Sequence, residues 1–149
     1  MTRKRRVVVL DDYGEHLAAL YVPEGTVDFE SADFSGVPLA GLKNLRGRSF
    51  RNASLYWASM AEGDFTGCNF EGADLRGADL TDAILRSANL RNANLGRNNL
   101  NGSTRLLGAD LTDAIVNGAR FDGALFDDRT KWPKGFKPES AGLIREDAS

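Results

Sequence analysis

The chain has 149 residues, with 19 Lys and Arg against 21 Asp and Glu, one His and one Cys, for a formal net charge of −2. That length corresponds to one domain, the near balance of charge gives no global reason to expect nucleic acid or an anionic membrane as partner, and a single cysteine excludes an internal disulfide framework. A histidine-based catalytic triad would have to use His16, and the sequence contains no Gly-x-Ser-x-Gly, phosphate loop or dinucleotide fingerprint.

The first 26 residues read as a tail and cap. Thr2-Arg3-Lys4-Arg5-Arg6 is a basic run, expected to be a solvated tail, with contact to nucleic acid or an acidic partner as the alternative. Val7-Val8-Val9-Leu10 predicts a short strand, and Gly14 to Val22 a short helix or turn before Pro23. The apolar run is too short for a signal-peptide core, so a cytoplasmic location is expected. His16 beside Asp11, Asp12 and Glu15 reads as a solvated cap residue rather than a metal ligand.

From residue 27 to 128 the pattern changes to an internal repeat. Large apolar residues recur every five positions from Leu45 through Phe50, Leu55, Met60, Phe65 and onward to Leu95 and Leu100, and after a one-residue slip continue at Leu106, Leu111, Val116, Phe121 and Phe126. Two residues before most of them stands a small one, such as Ala53, Ala73, Ala78, Ala88 or Ala93. Five fits neither the helical period of 3.6 nor the strand period of 2. It fits a coil in which two residues of each five point inward and three outward, and such a coil buries its large residues only by stacking on others. Leu75, Leu80, Leu90, Leu95, Leu100 and Leu111 are expected inside. Gly41 to Leu45 and Asn101 to Leu106 each contain one residue too many, to be absorbed at a corner or bulge. Cys68 occupies a small inward slot and reads as a buried structural thiol. Arg48 stands in such a slot too, which predicts a distorted, edge-like coil there.

The stretch Gly72-Ala73-Asp74-Leu75-Arg76-Gly77-Ala78-Asp79-Leu80-Thr81, repeated in Ser87-Ala88-Asn89-Leu90-Arg91-Asn92-Ala93-Asn94-Leu95, resembles the pentapeptide-repeat family. The resemblance is strong over 45–127 and weak over 27–39. It implies an all-β fold, a right-handed quadrilateral parallel β-helix with four pentapeptides per coil. At a strand spacing of about 4.8 Å, five coils would make a rod roughly 25 Å long. The last segment, 129–149, cannot continue the repeat because Pro133 and Pro138 lack backbone donors. Trp132 and Phe136 are expected to plug the last coil as a loop, and residues 143–149 to fray.

For function, the sequence predicts no catalytic residue, metal site or cofactor. Stacking coils twenty residues apart gathers Tyr56, Trp57, Arg76 and Arg97 on the outside, with Gly77 and Gly96 between them. These are residue types typical of binding hot spots, unless the N-terminal segment folds over the two aromatics. The reading is a non-enzymatic protein-binding module or scaffold. Its partner is a protein of unspecified identity, with direct nucleic-acid and membrane binding not expected and a monomer favoured. The resemblance supplies the alternative, since some family members mimic duplex DNA and bind type II topoisomerases such as gyrase. That reading places the function on an acidic face of Glu62, Asp79, Asp82 and Asp122. Against it, residues 45–127 carry nine arginines and ten carboxylates, a net −1, where a mimic needs a strongly negative rod.

Overall fold

The computed structural model describes residues 3–147. Among these there is no α-helix. Four strands, β1 (Lys4–Leu10), β2 (His16–Pro23), β3 (Leu125–Phe126) and β4 (Ile144–Arg145), and one 3-10 turn at Glu139–Ala141 stand outside a long succession of turns. Within that succession, single parallel bridges join one coil to the next. Ser49↔Asn69, Ser54↔Asp74, Ser59↔Asp79 and Asp64↔Ile84 each span twenty residues. With an inward residue every five, twenty residues make a four-sided coil.

The sides are columns of side chains. Phe50, Phe70 and Leu90 stack on the first side, Leu55, Leu75, Leu95 and Phe121 on the second, Met60, Leu80, Leu106 and Phe126 on the third, and Phe65, Leu85 and Leu111 on the fourth, all buried. Apart from Phe121 and Phe126 in the last coil, each such residue donates its N–H to a carbonyl of the following coil, as Leu55 does to Asp74 (2.7 Å) and Leu75 to Asn94 (2.8 Å). Burial of each large side chain contributes about 1.5–3 kcal/mol, and the ladder satisfies the backbone that is buried with them. The alanines of the small slots are buried beside the leucines, because a coil corner leaves no room for more. The chain is a β-helix solenoid.

The ladder departs from twenty in three places. The first bridges, Asp33↔Ser54 and Pro38↔Ser59, span twenty-one residues, the single extra residue expected near Leu45. The second departure is larger than the sequence suggests. The spacing jumps from twenty at Asp74↔Asn94 to twenty-six at Asp79↔Arg105, so six residues leave the coil, not one. Leu100, expected inside, lies on this loop and is 77% exposed. The cause is Asn98, whose Oδ1 accepts the N–H groups of Leu100 and Gly102 (2.8 Å each) and closes a local turn in place of the ladder. The third departure, Asp110↔Lys131, again spans twenty-one.

At each departure a side chain from a small slot donates to an inward carbonyl. Cys68 Sγ reaches Leu45 O (2.9 Å), Thr104 Oγ1 reaches Leu75 O (3.0 Å), and Thr130 Oγ1 reaches Leu106 O (2.8 Å). Thr104 also accepts Gly77 N–H (3.1 Å) and lies 3.2 Å from Gly96 O, so one hydroxyl stands where a backbone rung is missing.

The ends differ from the sequence reading as well. Residues 16–23 are a strand, not a helix or turn. β2 pairs antiparallel with β1, Val7 opposite Leu20 and Val8 opposite Ala19, around a turn in which Asp11 Oδ1 accepts Tyr13 and Glu15 N–H (2.9 and 2.8 Å). Leu17 to Leu20 have helical propensity locally, and pairing with the β-branched run of β1 overrides it. The basic run is not a tail, since Lys4 to Arg6 are the start of β1 and Arg5 Nη2 donates to Thr26 O (2.9 Å) and Asp28 O (3.1 Å). Val7, Val9 and Val22 join the core with Phe29 and Leu45, capping the first coil.

At the other end the rings of Trp132 and Phe136 are tilted by 31° to each other, their centroids 4.9 Å apart, and meet Phe121 at 6.1 and 5.3 Å. Residues 143–147 are ordered by contact: Leu143 is buried, and β4 pairs parallel with β3. Arg48 does not enter the core. It is exposed, 2.9 Å from Asp28 Oδ1 and over the Phe29 ring. Thr2 of the basic run, and Ala148 and Ser149 of the tail, lie outside the described residues.

Candidate functional site

The most distinctive surface is the corner that follows the second side. Tyr56 and Trp57 occupy it in one coil, Arg76 and Gly77 in the next, Gly96 and Arg97 above them, and Asp122 and Gly123 above those. The residue just past the corner takes a left-handed backbone, which glycine adopts freely. Gly77 and Gly123 have φ of 73° and 79° in this column, and Trp57 holds φ 60°. A bulky residue there costs about 1–2 kcal/mol. The rings of Tyr56 and Trp57 meet edge to face at 6.2 Å, and the Arg76 guanidinium lies 5.5 Å from the Tyr56 ring. Arg76 is fixed by two hydrogen bonds to Asp74, Nε to Oδ1 at 2.9 Å and Nη2 to Oδ2 at 2.8 Å. Burial pushes the Asp74 carboxyl up, but Arg76 outweighs it and holds the pKa below the ordinary value.

Trp57 is 47% exposed, and its indole runs along the corner instead of standing free. A Cβ added at Gly77 would come within 3.4 Å of the indole, and one at Gly102 within 2.8 Å. The space that the glycines were expected to leave for a partner is therefore filled by Trp57 itself. The segment that meets Trp57 is the six-residue loop, not the N-terminal hairpin. Asn98 lies under the same indole, only 5% exposed, and its Nδ2 has no hydrogen-bond acceptor. Arg97 points away along the rod and drapes over Gly123. The corner thus presents Tyr56, Trp57, Arg76 and, beyond the sequence reading, Leu100. The signal for Leu100 lay two residues earlier, where Asn98 replaces the usual small slot residue.

The four carboxylates of the alternative reading do not form one face. Glu62 and Asp82 stack at the corner after the third side, and Asp79 flanks Leu80 on that side. Asp122 belongs to the other corner, in the column of Tyr56 and Arg76. Asp82 lies 2.7 Å from Arg129, Asp122 lies 3.6 Å from Arg120, and Asp79 accepts the amide and hydroxyl of Thr81 (3.0 and 2.6 Å). Further along the rod Asp64, Asp110 and Asp127 pair with Arg46, Arg86 and Arg129. Cys68 is buried, and desolvation pushes its thiol up to about 12. His16, on β2, is exposed with Nε2 3.4 Å from Arg6 Nη2. Among the described residues no group of three His, Cys, Asp or Glu is arranged to hold a metal, and no helix is long and apolar enough to cross a membrane.

A family model described as pentapeptide repeats matches residues 64–102 and 88–128, with 8 copies. Residues 64–128 are pentapeptide repeats. Among solved structures, this chain is similar to Rfr23 from the cyanobacterium Cyanothece 51142, at 28% identity and a TM-score of 0.58, covering 75% of this chain and 71% of that one. A pentapeptide repeat protein from Nostoc Pcc 7120 is 29% identical with a TM-score of 0.41, over 82% of this chain and 87% of that one. QnrB1, a plasmid-mediated fluoroquinolone resistance protein, is 17% identical with a TM-score of 0.43, over 80% of each chain. No curated protein sequence matches the chain.

Proposed function

We propose that this chain is a non-enzymatic, cytoplasmic protein-binding module, built on a right-handed β-helix and engaging its partner through the corner of Tyr56, Trp57, Arg76 and Leu100, with Arg97 extending the surface over Gly123. The supporting observation is that the six-residue loop brings an exposed leucine to the side of the rod where an exposed tryptophan lies, the two linked through Gly102. Aromatic and arginine side chains dominate the energetics of interfaces, and the left-handed tryptophan is a strained choice at a glycine position. The rod fixes these groups on a rigid ladder, so little side-chain entropy remains to be lost on binding.

DNA mimicry, the alternative that the pentapeptide-repeat resemblance supplies, needs uncompensated negative charge along the rod. Here most rod carboxylates sit beside an arginine, which leaves no continuous acidic strip.

The test is quantitative capture of partners from lysate of the native host, with the full chain as bait. Trp57→Ala with Arg97→Ala, and separately Leu100→Asp, should remove the captured partner, while Asp79→Asn with Asp82→Asn should keep it. The reverse pattern, together with relief of quinolone inhibition of gyrase supercoiling by the purified protein, would overturn the proposal in favour of mimicry.

A further inference from the structure

A groove runs along β1 at the first coil, on the side away from β2. Its two parts have volumes of about 290 and 120 Å³, and they share Val8, Phe29 and Arg48. Together they are lined by every residue from Arg5 to Leu10 and, on the coil side, by Asp28, Phe29, Asn44, Leu45 and Arg48, with nothing from β2. Successive residues of a strand point to opposite faces. A groove lined by consecutive strand residues therefore follows the strand's edge rather than a face. That edge is open. β1 pairs with β2 alone, and among the described residues no backbone hydrogen bond joins Lys4–Leu10 to the coil. On this length of open edge the contact with the coil is Asn44 Nδ2 to Leu10 O (3.0 Å), at the far end.

The electrostatics of the groove are one-sided. Two guanidinium groups, from Arg5 and Arg48, share the groove with a single carboxylate, Asp28, while that of Arg6 turns toward His16 on β2. Asp28 is already engaged by Arg48 Nη1 (2.9 Å) and Ser49 N (3.1 Å). Arg5 is held in place by two neutral acceptors, Thr26 O and Asp28 O, which orient its guanidinium without neutralising it. The floor between the arginines is apolar, with Val7, Phe29 and Leu45.

An open strand edge beside an excess of fixed arginine is the complement of an extended acidic chain. We propose that the β1 edge is a second binding site, which takes an acidic peptide segment of a partner protein as an added strand. The peptide's backbone would complete the open ladder, its carboxylates would meet Arg5 and Arg48 as charge-assisted hydrogen bonds, and its alternate apolar side chains would cover Val7 and Phe29. Six residues of β1 span roughly 20 Å at about 3.3 Å each, so the site fits a peptide of five or six residues. It lies at the first coil and is distinct from the Tyr56–Trp57 corner.

The test is fluorescence anisotropy with the full chain and a labelled six-residue peptide alternating glutamate and valine. A peptide alternating glutamine and valine, a peptide alternating lysine and valine, and a short DNA duplex serve as competitors for comparison. The glutamate peptide should bind at least tenfold more tightly than the glutamine one and weaken as salt is raised. Methylating the peptide backbone nitrogens on one alternation should abolish binding, and on the other should leave it intact, because only one set faces β1. Arg48→Gln should weaken binding about tenfold, whereas Arg6→Gln, whose guanidinium lies beside His16 on β2, should leave it unchanged. Arg5→Gln should do more, and amide exchange read on β1 and the first coil separates loss of the site from loss of the cap. Equal binding of the glutamine peptide, indifference to both methylation patterns, or preference for the duplex would each overturn the proposal. Self-association of the chain that the peptide does not disrupt would overturn it in favour of a second copy on the edge.

Discussion

Thr104→Val removes one hydroxyl from the centre of the rod and keeps its shape. The Thr104 side chain is fully buried. Its oxygen accepts Gly77 N–H at 3.1 Å and can donate to Leu75 O at 3.0 Å or Gly96 O at 3.2 Å. Leu75 O retains the N–H of Ala78 (3.1 Å), so it stays satisfied in the variant. Gly77 N–H and Gly96 O are left without partners in a dry interior. Each such orphan costs about 1–3 kcal/mol, so the variant should be less stable by about 2–6 kcal/mol. With a urea dependence of about 2 kcal/mol per molar, the midpoint should fall by roughly 1–3 M. Thr104→Ser keeps the hydroxyl and loses one methyl, for which about 1 kcal/mol is expected. Urea denaturation should therefore rank wild type, Ser, then Val. Hydrogen exchange at the Gly77 amide gives a local reading that holds even if the solenoid does not unfold in one step. A valine variant with the wild-type midpoint and an equally protected Gly77 amide would refute the account of Thr104 as a replacement rung.

Other outcomes follow from the same packing. Ala78→Leu, at a fully buried slot, should overpack its coil and cost about 1–3 kcal/mol, while Thr81→Leu on the outside should cost much less; equal denaturation midpoints would count against the inward assignment. Cys68, with its thiol pushed up to about 12 by desolvation, should not react with an aromatic disulfide reagent at pH 8 until the protein is unfolded, and rapid native labelling would contradict its burial. Truncation before Trp132 removes the rings that cover Phe121 and Phe126 and should produce aggregates or end-to-end dimers by light scattering; a stable monomer would speak against the plug. Burial raises the Asp110 carboxyl, but Thr112 and Arg86 outweigh it and hold it below 3.8. Its contribution to stability is thus present above the unfolded pKa and lost as pH falls through the folded one. Asp110→Asn should flatten the loss of stability below about pH 4 in an acid titration, and an unchanged acid limb would deny Asp110 that role.

The period of five was enough to place Leu75, Leu80, Leu90, Leu95 and Leu111 inside, because stacking leaves an apolar residue at that spacing no other place to go. Leu100 was misplaced for an arithmetical reason. A departure of six residues and a slip of one restart a five-residue pattern in the same phase, so the count alone does not separate them. The same ambiguity misassigned Asp122, which stacks on Gly96 at a spacing of twenty-six. The β2 strand was missed because Leu17 to Leu20 carry no β signal of their own, and their partners lie across the turn in Val7 to Val9. Tyr56 and Trp57 were legible as outward residues. The way the indole fills the space over Gly77 and Gly102 depends on a loop that the repeat pattern folds away.

The small-slot side chains that bond across the three departures give this solenoid something like suppressors of frameshift. A five-residue code read by stacking would be lost downstream of any insertion, since every later residue would face the wrong way. Here the reading frame is restored three times, in each case by a thiol or hydroxyl in a slot that alanine usually fills. Insertion length is then a free variable outside the coil, provided the chain returns in phase with a donor in that slot. Foreign segments spliced between Arg97 and Ser103 should be carried on an undisturbed rod as long as Thr104 remains, which makes the corner a place where surface can be rewritten without rewriting the fold.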